Sequence, residues 1–200
     1  SKKLWGVLLA LAMLVSVMTV TALASADGSV NIGDGSITIG DGTYTQGTGE
    51  AVTIPEGGLV ITGESVTNTI TVAPGAGKTA AFTINGLTLS TETGASLIDV
   101  QSGSTEITLA GTNELTGSGG TGALIRVSGE QALTIKGTGS LTLNNGTERA
   151  AAHGAAIGGS AGEDGGTINI VSGEITIVQY GPGAGIGGGD DGNGENIAIS

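Results

Sequence analysis

Carboxylate and amide side chains gather in two short stretches of the chain, and each stretch directly follows a glycine-rich segment. The candidate ligands in these stretches are Glu163, Asp164, Asp190, Asp191, Asn193 and Glu195. The alternating oxygens of Asp191, Asn193 and Glu195 are typical of a calcium loop, because Ca²⁺ takes about six to eight oxygen ligands. Carboxylates that lie close together also repel one another unless a cation screens them. The pattern leaves two interpretations open: a Ca²⁺ site, or solvated acidic loops that keep an apolar protein soluble.

Three glycine-containing motifs resemble sites for nucleotides or nucleophiles, and their surroundings argue against all three. Residues 73–79 resemble the end of a phosphate-binding loop, but Val72 stands where its first glycine belongs and a strand pattern follows instead of a helix. Residues 183–188 match a dinucleotide fingerprint, again without a helix after it. Residues 158–162 match a nucleophile elbow beside His153, but the required strand-to-helix turn is missing. We therefore predict that all three segments are turns between strands, with no nucleotide bound and no catalytic residue.

Composition excludes several classes of protein. The 200 residues include 40 glycines, three prolines and no cysteine, and the glycines do not recur at every third position. These counts exclude collagen and disulfide-stapled domains. A formal charge of −12 argues against nucleic acid as a partner, because phosphate binding needs clustered Lys and Arg. Aromatic residues that could stack on sugars are scarce, and Tyr44 and Tyr180 are the only candidates beyond the first 26 residues.

The first 26 residues have the layout of a secretory signal peptide. Lys2 and Lys3 precede an apolar run over 4–20, and Ala-Ser-Ala at 24–26 offers a cleavage site. An uncleaved membrane anchor is the alternative. Cleavage would leave a chain with four basic and 18 acidic residues, which gives 4 − 18 = −14. We expect the mature protein to be secreted, with attachment to a cell wall as one option.

The rest of the chain repeats. Glycine-rich segments lead into Ile98, Ile125, Ile157 and Ile186, at steps of 27, 32 and 29 residues. Short stretches with apolar residues at every second position lie between them, which is typical of strands with one buried face. Three short strands per repeat predict an all-β solenoid, a parallel β-helix with three sides in which each strand pairs with its equivalent one coil away.

The repeat also predicts a domain organisation. We expect about six coils over 51–200, an N-terminal cap or irregular first coil over 27–50, and further coils beyond Ser200. A narrow core suits Ile, Leu, Val and Ala, which explains the shortage of aromatic residues. Glycine is expected where the backbone turns or where two coils approach closely.

Three segments carry a resemblance to a known group. They are Gly-Ala-Gly-Ile-Gly-Gly-Gly at 183–189, Gly-Gly-Thr-Ile-Asn-Ile at 165–170 and Ser-Leu-Thr-Leu at 140–143. Together they resemble secreted right-handed β-helix proteins of Gram-positive bacteria that are described as carbohydrate-binding-domain proteins or adhesins. The resemblance implies a right-handed, pectate-lyase-like helix that binds polysaccharide or cell-wall glycan without cleaving it, in some relatives with calcium. A structural stalk and a polysaccharide lyase are the alternatives, and the latter would need grouped calcium aspartates with an Arg or Lys base.

Overall fold

The computed structural model describes residues 28–147 and 150–200, so the predicted signal peptide lies outside the described residues. The described part is built almost entirely of short strands, with one turn of 3-10 helix at Ile32–Asp34. In chain order the strands are β1 (Ser29–Asn31), β2 (Ile37–Ile39), β3 (Thr43–Gln46), β4 (Val52–Thr53), β5 (Leu59–Ser65), β6 (Ile70–Val72), β7 (Thr79–Thr91), β8 (Ile98–Val100), β9 (Ser104–Ala110), β10 (Thr112–Gly117), β11 (Ile125–Val127), β12 (Ala132–Gly137), β13 (Ser140–Asn145), β14 (Ile157–Gly158), β15 (Thr167–Ile170), β16 (Glu174–Gln179), β17 (Ile186–Gly187) and β18 (Ile197–Ile199).

The strands form three ladders of parallel pairs, and we call each ladder a face of the solenoid. Face 1 runs in the order β2, β6, β8, β11, β14 and β17. Face 2 contains β1, β9, β12, β15 and β18, together with the first parts of β5 and β7. Face 3 contains β10, β13 and β16, together with the second parts of β5 and β7. The result is a β-solenoid of about six turns, which confirms the predicted fold class.

Alternation at every second residue sends aliphatic side chains into one narrow core, where they stack on their equivalents in neighbouring coils. The row predicted through Ile98, Ile125, Ile157 and Ile186 is a pairing register of the structure. The face 2 row is Leu59, Phe82, Ile107, Ile135, Ile170 and Ile199, and the face 3 row is Leu89, Leu115, Leu143 and Ile177. All but the residues of the last coil are buried, and this burial supplies the main stabilisation of the fold.

Asn113 interrupts the aliphatic row at the corner between faces 2 and 3, where its fully buried amide replaces a leucine. Its Oδ1 accepts a hydrogen bond of 3.0 Å from the amide of Leu87 in the preceding coil. Its Nδ2 donates to the carbonyl of Ala110 in its own coil and to that of Ser140 in the next coil, both at 3.0 Å. One side chain therefore links three successive coils, and each of these hydrogen bonds satisfies a backbone group at the corner.

The two ends of the solenoid differ. At the N-terminal end an antiparallel hairpin of β3 and β4 covers the edge of β2. Parallel pairing already begins at β1 and β2, inside the predicted cap, whereas β4 belongs to the hairpin instead of a regular coil. At the C-terminal end β16, β17 and β18 form the edges of the three faces, around a cleft of about 300 Å³ that Ile175, Ile177 and Ile199 help to line.

Candidate functional site

The two acidic stretches are loops that fold back over glycine residues of face 1, which have no side chains in the way. Each loop follows a run of glycines that starts at the last residue of a strand, Gly158 in β14 and Gly187 in β17. A methyl group on Gly159 would overlap the carbonyl oxygen of Glu163, and one on Gly188 would overlap the carbonyl of Gly192. These glycines are therefore needed for close approach between loop and strand as well as for turning the chain.

Arg126 lies between the carboxylates of two other coils. Its Nε and Nη2 donate to the two oxygens of Glu163, at 2.8 and 2.7 Å, and its Nη1 donates to Asp99 Oδ1 at 3.1 Å. Asp99 precedes Arg126 by one coil on face 1, since the two residues share a register position. Glu163 belongs to the folded-back loop of the following coil. The paired guanidinium and carboxylate form a bidentate, charge-assisted interaction that is stronger than a neutral hydrogen bond.

This arrangement shifts the pKa of both main partners. The hydrogen bonds that Glu163 accepts from Arg126, more than any other contact, hold the pKa of Glu163 below its usual value, against the effect of partial burial. The hydrogen bonds that Arg126 donates to Glu163 raise the pKa of Arg126 above its usual value. Arg126 is therefore permanently protonated, and it acts as a fixed cation between two carboxylates rather than as a base.

Two more side-chain contacts join the acidic loops to neighbouring coils. Asp164 Oδ1 accepts hydrogen bonds from the backbone amide of Asn193 and from its Nδ2, the latter at 3.0 Å. Asp190 Oδ2 lies 2.8 Å from Nδ1 of His153. Every ion pair between residues that the structure describes joins two different coils. The charges on these loops thus hold successive coils together.

The same contacts bear on the predicted calcium site. Four of its six candidate ligands, Glu163, Asp164, Asp190 and Asn193, already have partners in the chain, while Asp191 and Glu195 lie exposed on the second loop. Within 28–147 and 150–200 no group of three or more His, Cys, Asp or Glu side chains is arranged to hold a metal ion. The carboxylates therefore do not fit a preformed calcium cage.

Calcium binding remains a prediction that thermal melting tests. A ligand that binds only the folded state raises the melting temperature. A higher melting temperature in calcium than in chelator would establish that the folded protein binds calcium, and identical curves would exclude it.

Arg126→Met should destabilise the protein by about 1–3 kcal/mol at neutral pH, because it leaves two half-buried carboxylates without their cation. The loss is smaller than for a fully buried pair because solvent screens these groups. Since the pKa of Glu163 is lowered on folding, its stabilising contribution is present above the unfolded value of about 4.3 and disappears as the pH falls through the folded value. The difference between variant and wild type in urea denaturation should therefore shrink in acid.

The double variant Arg126→Met/Glu163→Gln is the control for this prediction, because it removes both charges of the pair. It should recover part of the lost stability at neutral pH. A loss of equal size at neutral and acidic pH would show that Arg126 acts through packing alone.

The two tyrosines that could contact sugar lie in different environments. Tyr44 is in the N-terminal hairpin with only 3% of its surface exposed, and burial raises the pKa of its hydroxyl. Its ring therefore offers no surface to a ligand, which removes it from the candidate stacking residues. Tyr180 follows β16 at the end of face 3 and is 40% exposed.

Face 3 carries in-register rows of outward polar groups, a feature that sequence reasoning did not single out. One row is Glu64, Thr88, Glu114, Thr142 and Thr176, and the next is Ser90, Thr116 and Asn144, which continues in the last coil with the exposed apolar Val178. Oε1 of Glu114 accepts hydrogen bonds from Thr116 Oγ1 at 3.1 Å and from Asn144 Nδ2 at 3.2 Å. We call these outward residues, with Tyr180, the polar rows of face 3.

Segment 73–79 is a connection between strands, since β6 ends at Val72 and β7 begins at Thr79, and Lys78 pairs with Asp41 at 3.3 Å on the surface. The other two motifs predicted to be turns overlap strands: Gly158 ends β14, and β17 lies inside 183–188 at Ile186–Gly187. Ser160, in the 158–162 segment, accepts a hydrogen bond from the amide of Ala123 at 3.4 Å.

Comparison of the chain with protein-family models, with curated proteins and with solved structures finds no match. In residues 28–147 and 150–200, none of the helical structure has the length and apolar character that a membrane crossing requires.

Proposed function

We propose that this chain is a non-catalytic, polysaccharide-binding module of a secreted or cell-surface protein, and that it binds its ligand along face 3. The observation that carries the proposal is the set of polar rows of face 3, which repeat in register over successive coils. The leader pattern of residues 1–26 supports the location, and the β-solenoid supports the class of module.

A repeating surface suits a repeating ligand. Equivalent side chains on adjacent coils lie about 4.8 Å apart, so a polymer that lies along the solenoid axis meets a carboxylate or a hydroxyl group at every coil of the row from Glu64 to Thr176. Hydroxyl, amide and carboxylate groups can donate to or accept from sugar hydroxyls, and Tyr180 adds one exposed ring at the end of the face. A surface that spreads its hydrogen-bonding groups over several coils suits the binding of a polymer.

Contacts at Arg126 favour binding over a lyase reaction. A lyase needs a base that can accept a proton, and Arg126 is held in its charged form by Glu163 and Asp99. Lys136 likewise pairs with Glu106 at 2.8 Å on face 2. Both cations therefore link neighbouring coils.

A matched pair of variants tests the proposal. Thr142 on face 3 and Thr134 on face 2 lie in the same coil, both are half-buried, and each has a glutamate beside it in the preceding coil. Thr142→Arg should weaken retention on immobilised polysaccharide at least about tenfold, because a long side chain covers the polar rows of face 3, while Thr134→Arg should leave it unchanged.

The outcome also separates this proposal from the alternatives. Equal effects of the two substitutions would overturn the assignment to face 3. Absence of retention on every polysaccharide tried would favour the structural stalk, and release of unsaturated ends that absorb ultraviolet light would establish a lyase.

A further inference from the structure

We propose that Asn193 is a site of spontaneous deamidation, and that its conversion breaks the contact that joins the two acidic loops. The chain contains three Asn-Gly dipeptides, at 85–86, 145–146 and 193–194. Asparagine is a thermolabile residue, and a glycine after it makes deamidation easier. The structure places the three dipeptides in different environments, and of these the one around Asn193 leaves the reacting groups most accessible.

Deamidation is an attack of the chain on its own side chain. The backbone nitrogen of the following residue forms a bond with Cγ of asparagine, and the side-chain nitrogen leaves as ammonia together with the proton that the backbone nitrogen gives up. Water then opens the resulting cyclic imide at either carbonyl, which yields aspartate or isoaspartate. The reaction therefore needs an asparagine that water reaches, a backbone nitrogen that is not engaged elsewhere and a chain that can turn at the next residue.

The structure blocks this reaction at Asn145. The residue is only 2% exposed, and its Nδ2 donates to the carbonyls of Gly154 and Ala155, at 3.1 and 3.2 Å. The attacking nitrogen would be that of Gly146, which donates to the carbonyl of Gly117 at 3.0 Å. Both reacting groups are therefore engaged, and the site is closed to water.

Asn85 is exposed, but it is held within a strand. It lies inside β7 and pairs with Ala110 of the next coil. The neighbouring Ile84 and Leu87 are fully buried in the core. Bringing Cγ of Asn85 to the nitrogen of Gly86 requires a local opening of β7, so we expect the reaction there to be slow.

Asn193 and Gly194 lie between β17 and β18, outside any strand, and both are exposed. Among the residues that the structure describes, none accepts a hydrogen bond from the backbone nitrogen of Gly194. A methyl group on Gly194 would have no neighbour nearer than 3.7 Å, so the backbone is not crowded at the point of attack. The side-chain amide is held by a single hydrogen bond of 3.0 Å, from Nδ2 to Asp164 Oδ1.

The same asparagine joins the second acidic loop to the first. Its backbone nitrogen and its Nδ2 both donate to Asp164 Oδ1, and its carbonyl accepts a hydrogen bond of 2.8 Å from the amide of Gly165. Deamidation replaces Nδ2 by a carboxylate oxygen, so that an attraction to Asp164 becomes a repulsion between two carboxylates. Isoaspartate also lengthens the main chain next to the bond from Gly165. Deamidation of Asn193 therefore loosens the second loop from the first.

Peptide mapping by mass spectrometry, on protein aged at neutral pH and physiological temperature, locates the reaction. We expect conversion at Asn193 to be at least about tenfold faster than at Asn85, with none at Asn145, because folding restrains the last two. The control is the same protein aged in urea, where the three sites should react at similar rates. Faster conversion at Asn85 or Asn145 in the folded protein, or an equal preference for Asn193 in urea, would overturn the selection of Asn193 by the structure.

The variant Asn193→Asp tests the consequence, and amide hydrogen exchange at Gly165 reports on the contact directly. Exchange at Gly165 should be about tenfold faster than in wild type, because the two loops separate more often. The double variant Asp164→Asn/Asn193→Asp exchanges the amide and the carboxylate between the two positions, and it should return the rate close to that of wild type. An unchanged rate in the single variant, or an equally fast rate in both variants, would overturn the predicted loss of contact.

Discussion

Gly158→Ala should destabilise the protein by about 3 kcal/mol or more, since there is no room for a side chain between β14 and β17. A methyl group there would overlap the carbonyl oxygen of Gly187 and lie 2.8 Å from its carbonyl carbon. Both atoms are backbone and cannot rotate away, and Gly158 also has a φ of 138°, which residues with a side chain rarely adopt. Chemical denaturation measures the loss, and a variant that fails to fold would agree with it.

Gly185→Ala is the matched control in the equivalent segment of the next coil. The nearest atom to a methyl group at Gly185 is a side-chain carbon of Ile177 at 3.6 Å, an ordinary contact, and Ala156 already stands at the corresponding position one coil earlier. This variant should be neutral or slightly stabilising. Equal losses in the two variants would contradict the close approach of coils at Gly158.

Asn113→Ala should cost about 2–4 kcal/mol, because it removes three hydrogen bonds in the core and leaves the amide of Leu87 without its acceptor. The cavity left by the amide adds to the loss. The free energy of unfolding from urea titration is the measurement.

The control for this prediction is Asn169→Ala on the outer side of face 2, where the same substitution should change stability by less than about 0.5 kcal/mol. A small effect at Asn113 would mean that water or neighbouring backbone takes over its hydrogen bonds. The corner would then not depend on the amide that links the three coils.

Much of the fold was predictable because the solenoid is periodic. Once Ile98, Ile125, Ile157 and Ile186 are aligned, the parallel pairing of the strands follows. The alignment also predicts which side chains of each strand point into the core and which point outward. The same alignment puts Arg126 next to Asp99, so this contact could have been inferred from the repeat. The contact with Glu163 could not, because it depends on a loop that folds back over glycine backbone.

Sequence reasoning failed where the chain departs from the repeat. The hairpin of β3 and β4 pairs antiparallel and buries Tyr44, although the pattern around Val52 resembles a coil strand. Asn113 is polar in a row of leucines, and only the stacked corner explains why an amide belongs there. The polar rows of face 3 were missed because each strand contributes only two or three ordinary polar residues, and the surface arises when coils stack.

The most direct test of the ligand face is amide chemical-shift mapping of the isotope-labelled protein during titration with an oligosaccharide of the polysaccharide that retains the protein. We predict shifts at Thr88, Glu114, Thr142 and Thr176 on face 3, with little change at Thr83, Thr108 and Thr134 on face 2. Shifts confined to faces 1 or 2, or spread evenly over all three faces, would contradict the assignment of face 3 as the polysaccharide-binding surface.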